Sequence, residues 1–166
     1  MSNNGMKTSF WGPHAWKFLF SSIAGSYPIR VDPNNKDHMK KVSAFQSMFK
    51  SIEHTLPCSF CRESYGRFIK EIPISDFQHS RKEMMKWLYL IHDKVNVKLM
   101  NQERECFESE KTKLISRNVS GDQLKNALKK IKSETMKTKH SPPFEKVLAM
   151  YEKQRAGCSK KTKRCS

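Results

Sequence analysis

The chain contains no run of about 18 apolar residues, so no segment reads as a membrane-spanning helix. Glycine is scarce, with 6 in 166 residues, and none falls in a Gly-x-Gly-x-x-Gly pattern. A dinucleotide cradle of that kind is therefore not encoded. Period-two alternation is missing too: the β-branched residues are scattered, so strands are not expected. Acidic side chains are few, 16 against 32 Lys and Arg, for a formal net charge of +16. That excess favours acidic partners or anionic cofactors and says nothing about fold. Residues 1–8 are polar and lack the apolar stretch of a secretory signal. Apolar residues make up 37% of the chain and the mean hydropathy is −0.74. One domain is the length-based expectation, with part of the chain outside its core.

The charge is uneven. Residues 1–105 carry 16 basic and 10 acidic side chains, net +6, and residues 106–166 carry 16 and 6, net +10. The organisation read from this is a polar tail over 1–8, a core domain over 9–106, a helical extension over 107–155 and a basic tail over 156–166.

What is present is helical spacing. Trp16, Leu19, Phe20 and Ile23 follow i, i+3, i+4, i+7, one face of a helix. Gly12-Pro13 opens that helix, since proline suits a first turn, and it ends near Gly25. Asp32-Pro33-Asn34-Asn35 is turn material. Val42, Phe45, Phe49 and Ile52 mark a second helix. Pro57 opens a third, with Cys61, Tyr65, Phe68 and Ile69 on one face, closed by Pro73. Asp76 or Ser80 starts a longer one, whose stripe is Met84, Trp87, Leu88, Ile91, Val95 and Leu99. In the extension, Ser120-Gly121-Asp122-Gln123 fits a capping box ahead of Leu124, Leu128 and Ile131. Pro142-Pro143 precedes a short amphipathic piece with Phe144, Val147, Leu148 and Tyr151. The fold class is all-α.

Of the five cysteines, Cys58 and Cys61 form the one Cys-x-x-Cys. Pro57 presets a helix start, which puts Cys58 at a helix N-terminus, where unpaired N–H groups and the dipole suit a thiolate nucleophile. Cys61 lies nearly one turn on, in reach of a disulfide. Redox, metal-binding and structural roles all stay open on this spacing. A structural zinc site needs a second close pair of ligands, and Cys106, Cys158, Cys165 and the six histidines supply none. A dithiol that oxidises substrates must hand on two electrons, which protein side chains cannot pass to oxygen, so a cofactor is implied. A flavin held between helices by aromatic, His and Asn side chains suits two segments, Trp11-Gly12-Pro13-His14-Ala15-Trp16 and His92-Asp93-Lys94-Val95-Asn96-Val97-Lys98-Leu99.

Trp11-Gly12 with Trp16 and Leu19, then Cys58-Ser59-Phe60-Cys61, then His92 to Leu99, together resemble the Erv/ALR family of FAD-linked sulfhydryl oxidases, especially members carried by large cytoplasmic DNA viruses. Tyr27-Pro28 matches as well, and the resemblance covers about residues 10–106. It implies a helical bundle of four to five helices, usually dimeric, here with a basic, partly helical C-terminal extension. It implies FAD, with Cys61 beside the isoalloxazine and Cys58 exchanging with substrate thiols. Gly12, Trp16 and Tyr27 would line the flavin, and His92, Val95, Asn96, Lys98 and Leu99 would hold its adenosine and phosphates. The activity implied is disulfide formation in substrate proteins, with oxygen reduced to hydrogen peroxide. Cys158 and Cys165 would serve as a shuttle pair on the tail. Partners would be protein dithiols, among them virion proteins or a thioredoxin-like carrier, and a second copy of the chain. The setting would be host cytoplasm, a viral factory or the virion.

Three positions depart from the family pattern. Phe20 stands where a histidine is usual, Asp93 where an asparagine follows the histidine, and Tyr89 where a cysteine pairs with one matching Cys106, so that structural disulfide is not expected. Taken singly, Trp16, Phe20, Trp87 and Ile91 read as core, and the motif lifts only Trp16 out of that reading. The competing function is a basic nucleic-acid-binding or virion structural protein with a vestigial oxidase fold, supported by the charged extension and a pI near 9.8.

Overall fold

A computed structural model describes residues 5–156. Among these it contains six α-helices and one 3₁₀ turn: α1 (Thr8–Ser26), α2 (Lys36–Thr55), α3 (Ser59–Glu71), the turn Ile74–Phe77, α4 (Arg81–Ser116), α5 (Gly121–Thr135) and α6 (Phe144–Lys153). No described helix is long and apolar enough to cross a membrane. The all-α expectation holds. The chain divides into two compact units, one made of residues up to Ile91 together with those from Pro142 onward, the other of His92–Ser141. These limits differ from the 106/107 boundary read from charge, because α4 runs unbroken through Cys106.

In the first unit, α1 begins at Thr8, a turn earlier than Gly12-Pro13 suggests, and carries Pro13 inside it. Pro13 lies close enough to the N-terminus that it forfeits a single intrahelical bond. Asn35 caps α2 by accepting from the N–H groups of Asp37 and His38, the expected use of an asparagine there. Ser80 starts α4, its hydroxyl accepting from the N–H of Glu83 at 3.2 Å, while Glu83 accepts from the N–H of His79.

The core follows the predicted stripes. Ile23, Tyr27, Phe49, Met84, Met85, Trp87, Leu88 and Ile91 are fully buried. Aromatic rings link the helices in series: Tyr27 meets Phe45 edge-on at 5.2 Å, Phe45 meets Phe49 at 6.2 Å, and Phe49 meets Trp87 edge-on at 4.7 Å. Such offset and edge-on pairs suit the ring quadrupoles. Each polar ring tip is satisfied. Trp87 Nε1 donates to the Ile72 carbonyl at 2.9 Å, Tyr65 to the Phe49 carbonyl at 2.9 Å, and Tyr27 to the Gln78 carbonyl at 2.7 Å. Buried Arg81 donates from Nε to the Tyr27 carbonyl at 2.8 Å.

α6 belongs to this unit and packs on α1. Tyr151 stacks on Phe20 with centroids 5.1 Å apart, and Phe144 packs on Tyr89 at 5.5 Å. Lys86 lies 4.7 Å from the Phe144 centroid, and the Tyr89 hydroxyl donates to the Pro142 carbonyl at 2.9 Å.

In the second unit, Ser120 occupies the N-cap position of α5, yet its side chain makes no cap hydrogen bond. The expected capping box is therefore not closed. Gly121 there has φ +60°, which takes the backbone away from capping-box geometry. The unit is held instead by Glu103. Its carboxylate accepts from the N–H of Lys137 at 3.1 Å, the N–H of Thr138 at 2.9 Å and the hydroxyl of Thr138 at 2.7 Å.

Replacing Trp87 with Ala removes a core ring and the donor for Ile72 together, and should cost about 3–5 kcal/mol in urea denaturation. Burial first and the charge of Glu83 second push the Tyr27 hydroxyl up to about 12. Tyr65 is raised by its burial and, secondarily, by Glu53. An unfolded tyrosine titrates near ~10, so the folded chain keeps these protons where the unfolded chain gives them up. Their contribution to stability is whole below about pH 10 and is lost as pH climbs through the folded value. Denaturation midpoints measured between pH 8 and 12 should fall only in the upper half of that range.

Candidate active site

Leu56 closes α2 and Cys58 opens α3, leaving Pro57 between two helix ends. Cys58 is the N-cap of α3 in extended conformation, φ −136° and ψ 123°. Its sulfur does what a serine or aspartate does at such a position: Sγ accepts from the N–H of Cys61 at 3.3 Å. Its carbonyl accepts from the N–H groups of Cys61 at 3.1 Å and Arg62 at 3.0 Å. The two cysteines are thus fixed by the same helical turn, with Cys61 directing its amide at the sulfur of Cys58. Cys58 is only 8% exposed, while Cys61 is half-buried. Phe60, between them, is 57% exposed.

Two braces of this loop went unseen in the sequence. Arg62 Nη1 donates to the Leu56 carbonyl at 2.6 Å, so the guanidinium ties the loop across the turn besides adding charge beside the dithiol. The other brace is the start of the described chain. Met6 donates its N–H to the Pro57 carbonyl at 2.7 Å, and Gly5 forms an antiparallel bridge with Cys58. An arginine four residues after the first cysteine was a readable signal. A main-chain bridge leaves none.

On α1, Gly12 and Trp16 stand one turn apart, both half-buried, and a Cβ on Gly12 would meet nothing within 4 Å. Phe20, a turn further, is buried against Tyr151. Tyr27 caps the far end of α1, fully buried, its hydroxyl committed to Gln78. These residues and both cysteines belong to the first unit.

The remaining candidates lie in the second unit, on α4. His92, Val95, Asn96 and Leu99 follow i, i+3, i+4, i+7 on that helix, and all four are half-buried, as is Lys98. Asn96 Nδ2 donates to the Ser141 hydroxyl at 2.9 Å. His92 is held below the ordinary imidazole value, chiefly by burial, with the Asp93 carboxylate pulling the other way. Its neutral form is therefore the favoured one at neutral pH. Cys106 is exposed and forms no disulfide. Cys158 and Cys165 lie outside the described residues.

A helical protein whose cysteine pair shares the first turn of a helix has the framework of a thiol–disulfide exchange protein. Comparison with known sequences takes this further. The model of the Erv1/Alr family matches residues 13–115, and the chain belongs to that family. It is 32% identical over 92 residues to the "Probable FAD-linked sulfhydryl oxidase R368" of Acanthamoeba polyphaga mimivirus, covering 55% of this chain and 59% of that protein. It is 32% identical over 95 residues to the mitochondrial FAD-linked sulfhydryl oxidase ERV1 of Saccharomyces cerevisiae, covering 57% and 46%. The "Putative FAD-linked sulfhydryl oxidase 347L" of invertebrate iridescent virus 6 is 33% identical over 94 residues, covering 54% and 78%. The chain therefore spans about half the length of the first two relatives.

Because His92 binds fewer protons folded than unfolded, its contribution to stability is present above about pH 6.5 and is lost as pH falls. Its imidazole resonances, followed by NMR, should titrate with a midpoint below ~6.5. A midpoint above that value would contradict the burial described.

Proposed function

We propose that the protein is an FAD-dependent thiol oxidase that forms disulfide bonds in substrate proteins. The observation that carries the reading is the Cys58–Cys61 pair on the first turn of α3, in a chain of the Erv1/Alr family. Cys58 exchanges with the substrate. A substrate thiolate attacks Cys58 Sγ in the Cys58–Cys61 disulfide, and Cys61 leaves as a thiolate. A second substrate thiol, after losing its proton, attacks the substrate sulfur of the mixed disulfide and releases Cys58. The substrate has then lost two electrons and two protons to the pair. Bound FAD would supply the acceptor for that electron pair and its outlet to oxygen, with hydrogen peroxide as the product.

The residues available fit this cofactor by their chemistry. Gly12, Trp16 and Tyr27 are the proposed flavin-lining set: Gly12 has space above it and Trp16 an aromatic face, while Tyr27 is fully buried with its hydroxyl on Gln78 and presents no open surface. Phe20 takes no polar part, being buried against Tyr151. His92 favours its neutral form, which suits contact with an uncharged heterocycle. Asn96 brings an amide and Lys98 a cation for the phosphates, with Val95 and Leu99 as apolar walls. Cys61 is the sulfur assigned to the flavin side, and Cys158 with Cys165 the shuttle pair. The same reading has the enzyme acting as a homodimer on protein dithiols, virion proteins or a thioredoxin-like carrier among them. Its setting would be host cytoplasm, a viral factory or a virion, and the relatives in two large DNA viruses support that. The basic segment from residue 106 onward, net +10, supports nucleic-acid binding alongside its catalysis.

The purified protein should absorb near ~450 nm and consume oxygen with dithiothreitol. Cys61→Ala should abolish turnover while keeping the yellow colour. A colourless protein that takes up no added FAD overturns the proposal.

A further inference from the structure

The cysteine assigned to substrate exchange is 8% exposed, and the chain's own N-terminal segment lies against its backbone. Gly5 bridges Cys58, Met6 donates to the Pro57 carbonyl at 2.7 Å, and Trp11 Nε1 reaches back to the Met6 carbonyl at 3.4 Å. Gly5 has φ +90°, and a Cβ there would overlap the Pro57 carbonyl oxygen. Only glycine lets the segment lie this close. Yet Gly5, Met6 and Lys7 are themselves exposed, and the segment is held by main-chain bonds of modest net strength.

We propose that the Pro57–Cys58 backbone is the docking edge for an extended segment of the substrate protein around its reactive cysteine, and that Gly5–Met6 occupies this edge until the substrate displaces it. This rests on the thiol-oxidase reading. The edge has the properties such a partner needs. The Pro57 carbonyl accepts a main-chain N–H from an antiparallel neighbour, a contact any polypeptide can make whatever its side chains. That neighbour's backbone then runs beside Cys58 itself. Phe60, two residues beyond Cys58, and Met6, bonded to Pro57, are both exposed apolar side chains, which suits unfolded chains over folded ones. Small dithiols lack a backbone and gain nothing from the edge. The reaction is the exchange already written: the substrate sulfur–Cys58 bond forms as the Cys58–Cys61 bond breaks, with Cys61 the leaving thiolate.

Two full-length variants test this, Gly5→Val, which cannot lie against Pro57, and Trp11→Phe, which removes the indole donor to Met6. In the reduced proteins, iodoacetamide labelling of Cys58, read by peptide mass spectrometry, should be about fivefold faster in Gly5→Val and at least measurably faster in Trp11→Phe. In oxidised Gly5→Val, reduction of the Cys58–Cys61 disulfide is then timed with peptide dithiols N-methylated, one position at a time, within two residues of the first cysteine. One position should slow the reaction about fivefold, with the dithiothreitol rate the same as for the unaltered chain once labelling differences are allowed for. Unchanged labelling in both variants overturns the proposal, and so does equal reactivity of every methylated peptide. Neither assay needs flavin or oxygen. Variants that behave as expected in a protein that consumes no oxygen would leave the docking edge standing and overturn the oxidase reading alone.

Discussion

Trp87 stands on α4 with the edge of its ring against Phe49 of α2 and its N–H on the carbonyl of Ile72, just past the end of α3. Phe49 continues through Phe45 to Tyr27 at the end of α1. Three helices and the exit of a fourth are thereby fixed to one series of rings. The same residues satisfy the backbone where helices end, at Ile72 and Gln78. A helix terminus leaves carbonyls without partners, and the two ring donors satisfy them at these half-buried ends. The position of α3, and with it the Cys58 loop, follows from this series.

The helix faces were legible because each apolar stripe had a single possible period. Leu19 and Ile23, then Val42, Phe45 and Phe49, then Met84, Trp87, Leu88 and Ile91 are buried as their spacing requires. The dithiol at a helix start was equally legible, since proline before Cys58 leaves the chain few other choices. The length of α4 was readable in principle: no proline or glycine interrupts Arg81 to Ser116. A shift in charge near Cys106 hid it, because charge marks solvent exposure, not the end of a helix. What could not be read was pairing at a distance. The amphipathic pattern of Phe144, Val147, Leu148 and Tyr151 declares an apolar face but not its partner, which is α1. The Met6 to Pro57 contact is made by backbone atoms alone.

The departures from the family pattern gain a physical context in α6. Phe20 replaces an expected histidine and stacks on Tyr151. Tyr89 replaces an expected cysteine, packs on Phe144 and donates to Pro142. Both substitutions are aromatic, and both face the same helix. Tyr89 makes its ring contact with a segment that follows much later in the chain. Cys106 is exposed and forms no disulfide.

The return of α6 to α1 has a consequence for how the chain is made. The Phe20–Tyr151 stack joins nearly opposite ends of the described chain, and residues 92–141 separate the two parts of the first unit. Closing so long a loop is entropically dear at the outset but insensitive to its length, each doubling adding only about 0.6 kcal/mol. On the ribosome, α1 to α3 emerge well before their last partner. The nascent chain therefore presents Phe20 and Tyr89 uncovered until α6 has been made, and the intervening stretch is free to grow or shrink over evolutionary time with little thermodynamic penalty.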